Sequence, residues 1–117
     1  MPLIKVQTSV SMPHKADVES MLKNLSSKLA QHLGKSESYV MTSFESGIPM
    51  TFAGTTDPAC YIEIKSIGTM KHQQTQAMTH EFCQKIHHYL GVPENRIYIE
   101  FVDVKATMWG WNNSTFG

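Results

Sequence analysis

The chain has 117 residues, with 10 Lys plus Arg against 10 Asp plus Glu, 41% hydrophobic and 17% charged residues. A chain of this length buries roughly two-thirds of its unfolded surface, so it can close one core without disulfides or a structural metal. Zero formal net charge, with no cluster of Lys and Arg, excludes a binder of the nucleic-acid backbone, whose affinity needs concentrated positive charge.

Nor does any apolar run approach the ~18 to 20 residues that span a bilayer. Met1-Pro2-Leu3-Ile4-Lys5-Val6 lacks the basic and apolar regions of a secretion signal. The expectation is a soluble, cytoplasmic protein with neither nucleic acid nor membrane among its partners. Cys60 and Cys83 have no CxxC spacing and read as reduced, buried thiols of such a protein. The Asn-x-Ser/Thr sequons at Asn112 and Asn113 carry little weight without export.

In chain order, Leu3, Ile4 and Val6 open a short strand. Val18, Met21, Leu22, Leu25, Leu29 and Leu33 then recur at three- and four-residue steps, predicting a helix with Asp17 as N-cap and Gly34 as C-cap. A strand follows at Tyr39 to Phe44. Tyr61, Ile62 and Ile64 form the next strand, Ile62 and Ile64 alternating with Glu63 and Lys65. A second amphipathic helix carries Met78, Phe82, Ile86, Tyr89 and Leu90 and closes at Gly91 and Pro93. Ile97 to Val102 is the last main strand.

These elements repeat. Shifted by 57 places, residues 21 to 44 fall on 78 to 101, matching Met21 with Met78, Lys28 with Lys85, Leu33 with Leu90, Gly34 with Gly91, Glu37 with Glu94 and Phe44 with Phe101. We read a duplicated unit, approximately 2–57 and 58–106, within a single domain spanning 1–117 whose C-terminal tail is 107–117. Strand, long helix, strand is the parallel crossover unit. Two of them give an α+β (α/β two-layer) sandwich: a tandem β-α-β repeat with about four main strands and both helices on one face. In the last strand Ile97, Ile99 and Phe101 alternate with Tyr98, Glu100 and Val102, so the uncovered face is mixed polar and apolar, which suits an oligomer around a wet centre. The tail holds Trp109, Trp111 and Phe116 and is expected to pack on a neighbouring subunit.

Familiar catalytic motifs are missing. His80, His87 and His88 are seven and eight places apart, whereas two zinc ligands on one helix usually sit three or four apart, so they read as solvated and no metal or cofactor is expected. There is no Gly-rich phosphate loop and no Gly-x-Ser-x-Gly elbow. What remains is the chain start. Removal of Met1 would leave Pro2 with a free secondary amine, a base whose pKa, ordinarily ~7.7 to 8.0 for an α-amino group, falls on burial beside a cation. Such a base can take a proton from carbon next to a carbonyl. By itself Met1-Pro2 fits an ordinary chain start equally well.

Pro2 to Val10, Gly34-Lys35 before Tyr39, Phe52-x-Gly54, Ser66-Ile67-Gly68, Arg96-Ile97-Tyr98-Ile99 and Gly110-Trp111-Asn112-Asn113-Ser114-Thr115-Phe116 run in order from end to end. Together they resemble the macrophage migration inhibitory factor family of the tautomerase superfamily. The resemblance implies a homotrimer around a central channel, with active sites between subunits, and a keto-enol tautomerase acting on small arylpyruvates such as phenylpyruvate and on dopachrome-type compounds. Pro2 matches the family's catalytic base. Lys35 matches the lysine that holds the substrate carboxylate and depresses the amine's pKa; read alone, it would also serve as a helix C-terminal cation. Ile67 matches a residue whose backbone N–H meets that carboxylate, and Tyr98 a pocket tyrosine contributed by the adjacent subunit. Leu3, Tyr39, Trp111 and Phe116 are candidate pocket-wall or interface residues.

Three departures stand out. Glu100 occupies a pocket-rim position where well-known animal members have asparagine, Trp109 a pocket-wall position where a small valine is usual, and Cys60 is one place off with no CxxC, so thiol-oxidoreductase activity is not carried over. A different class of function stays open. Animal members signal as cytokines, exported without a signal peptide, and a chain of that kind would have a cell-surface receptor as partner. A trimeric scaffold with a vestigial site is the third reading.

Overall fold

In the computed structural model, which describes residues 1–12 and 14–117, the apolar periodicity becomes two helices laid across one mixed sheet. Strand β1 (Pro2–Thr8) leads into helix α1 (Lys15–Leu33) and strand β2 (Met41–Glu45); β3 (Cys60–Ile67) leads into α2 (His72–Leu90) and β4 (Ile97–Val104). The four strands lie in the order β2-β1-β3-β4. β1 runs parallel to β2, and β3 parallel to β4, while β1 and β3 meet antiparallel at the centre. Each crossover is thus the expected parallel unit.

The boundaries differ from the sequence reading in places with physical causes. Asp17 is not the N-cap of α1. His14 is, because its carbonyl already accepts from the Asp17 and Val18 N–H groups. The Asp17 carboxylate then sits in the first turn, where it complements the helix dipole. Gly34 and Gly91 close the helices with left-handed φ of 63° and 71°, a conformation glycine adopts without a Cβ penalty. Tyr39 ends a short 3-10 turn (Glu37–Tyr39) rather than starting β2.

Alternation along the strands sends Ile4, Val6, Ile62 and Ile64 to the helix side, where they meet Met21, Leu25 and Leu29 of α1 and Met78, Phe82 and Ile86 of α2, all without solvent exposure. Each such side chain contributes ~1.5 to 3 kcal/mol of burial. The same alternation aims Leu3, Lys5, Tyr61, Glu63, Lys65, Tyr98 and Glu100 at the uncovered face. Glu63 and Tyr61 link several of its polar groups. Lys65 reaches Glu63 at 3.2 Å, and the Tyr61 hydroxyl donates to Glu63 at 3.0 Å and to Glu100 at 3.4 Å. Burial, then the neighbouring Glu63 and Glu100, push the Tyr61 hydroxyl up to about 12.

Two outlying segments complete the fold. Arg96 gathers the loop before β3, donating to the carbonyls of Phe52 (3.2 Å), Thr55 (3.4 Å), Asp57 (2.9 Å) and Pro58 (2.8 Å), with its guanidinium 5.3 Å from the Phe52 ring centre. The tail forms a small hairpin of β5 (Gly110–Trp111) and β6 (Ser114–Thr115). It folds back on its own chain. Trp111 and Phe116 stack at 5.7 Å and both meet the Tyr39 ring edge-on, and Trp111 stays 55% exposed.

Candidate active site

Three pieces of backbone bring the site together. Pro2 is buried as the first residue of β1, a start position being where a strand tolerates a residue without an N–H. Its ladder partner is Ser66 of β3. The left-handed turn at Gly34 then reverses the chain after α1, and the Lys35 N–H bonds back to the Ala30 carbonyl. That turn delivers the Lys35 side chain to the end of the β1-β3 ladder, where Nζ donates to Ser66 Oγ at 2.8 Å and to the Ile67 carbonyl.

A cavity of about 400 Å³ opens at this point, lined by Met1, Pro2, Lys35, Ser36, Tyr39, Ile67, Ala106 and Phe116. Lys35 is its one charged side chain. The chain's amine, on Met1, lies at this cavity next to Pro2. Burial, and then the charge and hydrogen bond of Lys35, hold this amine below its ordinary value of 8.0. A neutral amine beside a fixed ammonium in an apolar cleft can bind an anion and accept a proton within the same small volume.

An adjoining space of about 290 Å³ shares Met1, Pro2, Tyr39 and Phe116 and is walled by Leu3, Met41, Trp109 and Trp111. The aromatic residues singled out in the sequence therefore surround Pro2, but Trp109 lines this second space and not the one that holds Lys35. A roomier cavity of about 480 Å³ lies beneath residues 47–51. None of its lining residues is ionisable, so chemistry selects the smaller pair.

Tyr98 and Glu100 are elsewhere. Tyr98 neighbours Tyr61, which pairs with Gln7, whereas Ser66 pairs with Pro2; at ~3.3 Å per residue the two ends of β1 are roughly 17 Å apart. Within one chain Tyr98 cannot reach the cavity. It is 66% exposed and its ring rests on Phe52, 4.9 Å between centres. Glu100 lies on the uncovered face, accepting from Tyr61. Sequence reasoning missed the Arg96 clamp that seats Phe52 under Tyr98, and assigned no part to Ser66.

A small α+β domain, with its opening strand at the centre of the sheet and its chain start in a cleft beside one lysine, defines a tautomerase-fold protein. The profile of the macrophage migration inhibitory factor (MIF) family matches residues 1–117, and the chain belongs to that family. A MIF homolog of Brugia malayi is 35% identical over 117 residues, covering 100% of both chains. Among solved structures, the MIF homologue from Prochlorococcus marinus is 54% identical with a TM-score of 0.91, covering 98% of this chain and 99% of the other. The MIF of Toxoplasma gondii has a TM-score of 0.92 at 29% identity, covering 97% and 99%.

Proposed function

We propose that this chain is a keto-enol tautomerase of arylpyruvates, with the amine of Pro2, exposed by removal of Met1, as general base. The observation that carries this reading is the cavity that Pro2 shares with Lys35, in which burial and the lysine hold the neighbouring Met1 amine below 8.0. The substrate carboxylate pairs with the Lys35 ammonium, helped by the backbone N–H of Ile67. The neutral amine removes a proton from the carbon beside the keto group; the C–H electron pair becomes the C=C bond and the carbonyl π pair moves to oxygen. Return of that proton to oxygen gives the enol and restores the base. No cofactor or metal enters this scheme.

The aryl group would lie against Tyr39, Phe116 and Trp111. Tyr98, exposed and distant from its own chain's cavity, would complete the site of a neighbouring copy in a homotrimer, the charged face of each sheet turned to a shared wet centre. The exposed Met41 on the edge strand β2 supports association along that edge. Sedimentation should return three times the 13.2 kDa chain mass; a 13.2 kDa species at micromolar concentration would remove the intersubunit site.

Pro2→Gly should lower phenylpyruvate turnover by ~10²- to 10⁴-fold, the usual contribution of a general base, without changing the assembly. A tag fused ahead of Pro2 converts the amine to an amide and should do the same. Tagged protein as active as the trimmed chain would refute the mechanism.

A further inference from the structure

Ser66 does not line the cavity. It is 1% exposed, on the helix-facing side of β3, where the positions before it hold Cys60, Ile62 and Ile64. A hydroxyl in such a row is costly unless paired. Its partner among the described residues is the Lys35 ammonium, 2.8 Å away. The next residue in the strand, Ile67, offers its carbonyl to the same nitrogen. Consecutive residues of one central strand thus form a two-point seat for the end of a long flexible side chain.

A lysine ammonium is a point charge on four rotatable carbons, and it has three protons to place. One acceptor would fix its distance from the strand and leave it free to pivot; two fix its direction. We propose that Ser66 is the positioning residue of the site, its hydroxyl and the Ile67 carbonyl together aiming the Lys35 ammonium at the chain's first residues, with the third N–H left for the anionic end of the substrate. What the site does with the ammonium rests on the tautomerase reading, but where the ammonium stands does not depend on any reaction.

Without the hydroxyl, Lys35 swings about the Ile67 carbonyl toward solvent. Two measurable things follow. The terminal amine loses a nearby positive charge and titrates higher, and an anionic substrate loses an aligned partner. Among the residues lining the cavity, Lys35 and Tyr39 are the ionisable side chains facing that amine. Lys65, on the same strand, is turned to the other face and bound to Glu63.

The test is an NMR titration of the terminal amine in the full-length chain, on whichever residue bears it, for wild type, Ser66→Ala, Lys35→Ala and the double variant. Ser66→Ala should raise the amine midpoint by about half a pH unit and should add nothing in the Lys35→Ala background. With phenylpyruvate, Ser66→Ala should raise KM about 10-fold, the scale of one hydrogen bond to a charged group, with kcat on the alkaline plateau changing less than about 2-fold. Ser66→Cys keeps the volume with a weak acceptor and should behave like alanine. Ser66→Thr keeps the hydroxyl and should restore both readouts. An unshifted amine in folded Ser66→Ala and Ser66→Cys, or an equal shift with and without Lys35, overturns the proposal. Amine shifts as described in a wild-type protein with no tautomerase activity would refute the tautomerase reading and leave the role of Ser66 standing.

Discussion

At the end of α1, Gly34 turns the chain and Lys35 reaches into an open cavity beside Pro2; at the end of α2, Gly91 makes the same left-handed turn and is followed by Val92, which is 0% exposed. The two helices are each 19 residues long. The residue in the second unit that corresponds to Pro2 at the 57-place shift is Ala59, 2% exposed. Tyr39, a wall of the cavity, corresponds to Arg96, which draws the preceding loop across its own end of the sheet through four carbonyls. One backbone plan therefore yields a cleft where the residue after the cap is a cation with two acceptors, and a sealed end where it is a valine.

That contrast can be broken most severely by moving the cation. Val92→Lys puts an ammonium at a fully buried position, and an uncompensated buried charge should cost ~3 to 5 kcal/mol in urea unfolding. A variant as stable as wild type would mean that the second end already holds acceptors for it. The reciprocal change, Lys35→Val, starts from a half-exposed side chain and should keep the fold. Its expected effect is a KM for arylpyruvates ~10- to 100-fold higher, from the loss of charge-assisted hydrogen bonds; an unchanged KM would detach Lys35 from carboxylate binding.

The amine sharpens the comparison, since only the first end has one. Its pKa in the folded chain lies below the ordinary 8.0, by burial first and Lys35 second, so the native state binds fewer protons than the unfolded state between those two values. Stability of the chain that bears the Met1 amine should accordingly rise with pH through that window and level off on either side of it. In the trimmed chain the Pro2 amine, beside the same lysine, should give a kcat/KM profile that rises through an ionisation below the ordinary α-amino value, and Lys35→Val should move that limb upward. A limb at or above 8.0 would contradict the buried-amine account. The smallest effect is expected at Trp109, which walls the adjoining space rather than the Lys35 cavity. Trp109→Val should improve turnover of bulky aryl substrates by less than ~10-fold, below what one methylene is worth in a substrate pocket itself, because its ring borders only the adjoining space; equal or poorer turnover in a folded protein would dismiss Trp109 as a size filter.

Periodicity made both helices and all four main strands legible, because the core residues Met21, Leu25, Leu29, Met78, Phe82 and Ile86 are spaced by the helix turn itself. The mixed face of β4 was legible for the same reason. Ends of elements were not. Asp17 is a good cap by composition, yet the backbone at His14 begins the helix earlier without any side-chain cap. Pro2, Lys35 and Ile67 could be brought to one site by resemblance alone, for nothing in their spacing says that a C-cap turn and two strand ends converge. Ser66 was invisible as anything but a polar letter in an apolar strand, which in hindsight is the signal. The Arg96 clamp left no pattern, since a guanidinium that binds carbonyls reads backbone and not sequence.

β1 is an interior strand that is made first. Its partners on either side, β2 and β3, extend to residue 67. At ~5 to 20 residues per second of synthesis, the opening strand waits several seconds, unpaired, before the neighbour that will enclose it exists. During that interval Met1 and Pro2 are part of an extended chain; afterward Pro2 is buried in the sheet and Met1 stays half-buried at the cavity. On the proposed mechanism, an enzyme that removes Met1 meets an extended chain in that interval and a folded cleft afterward, so the order of synthesis bears on how the free amine is made.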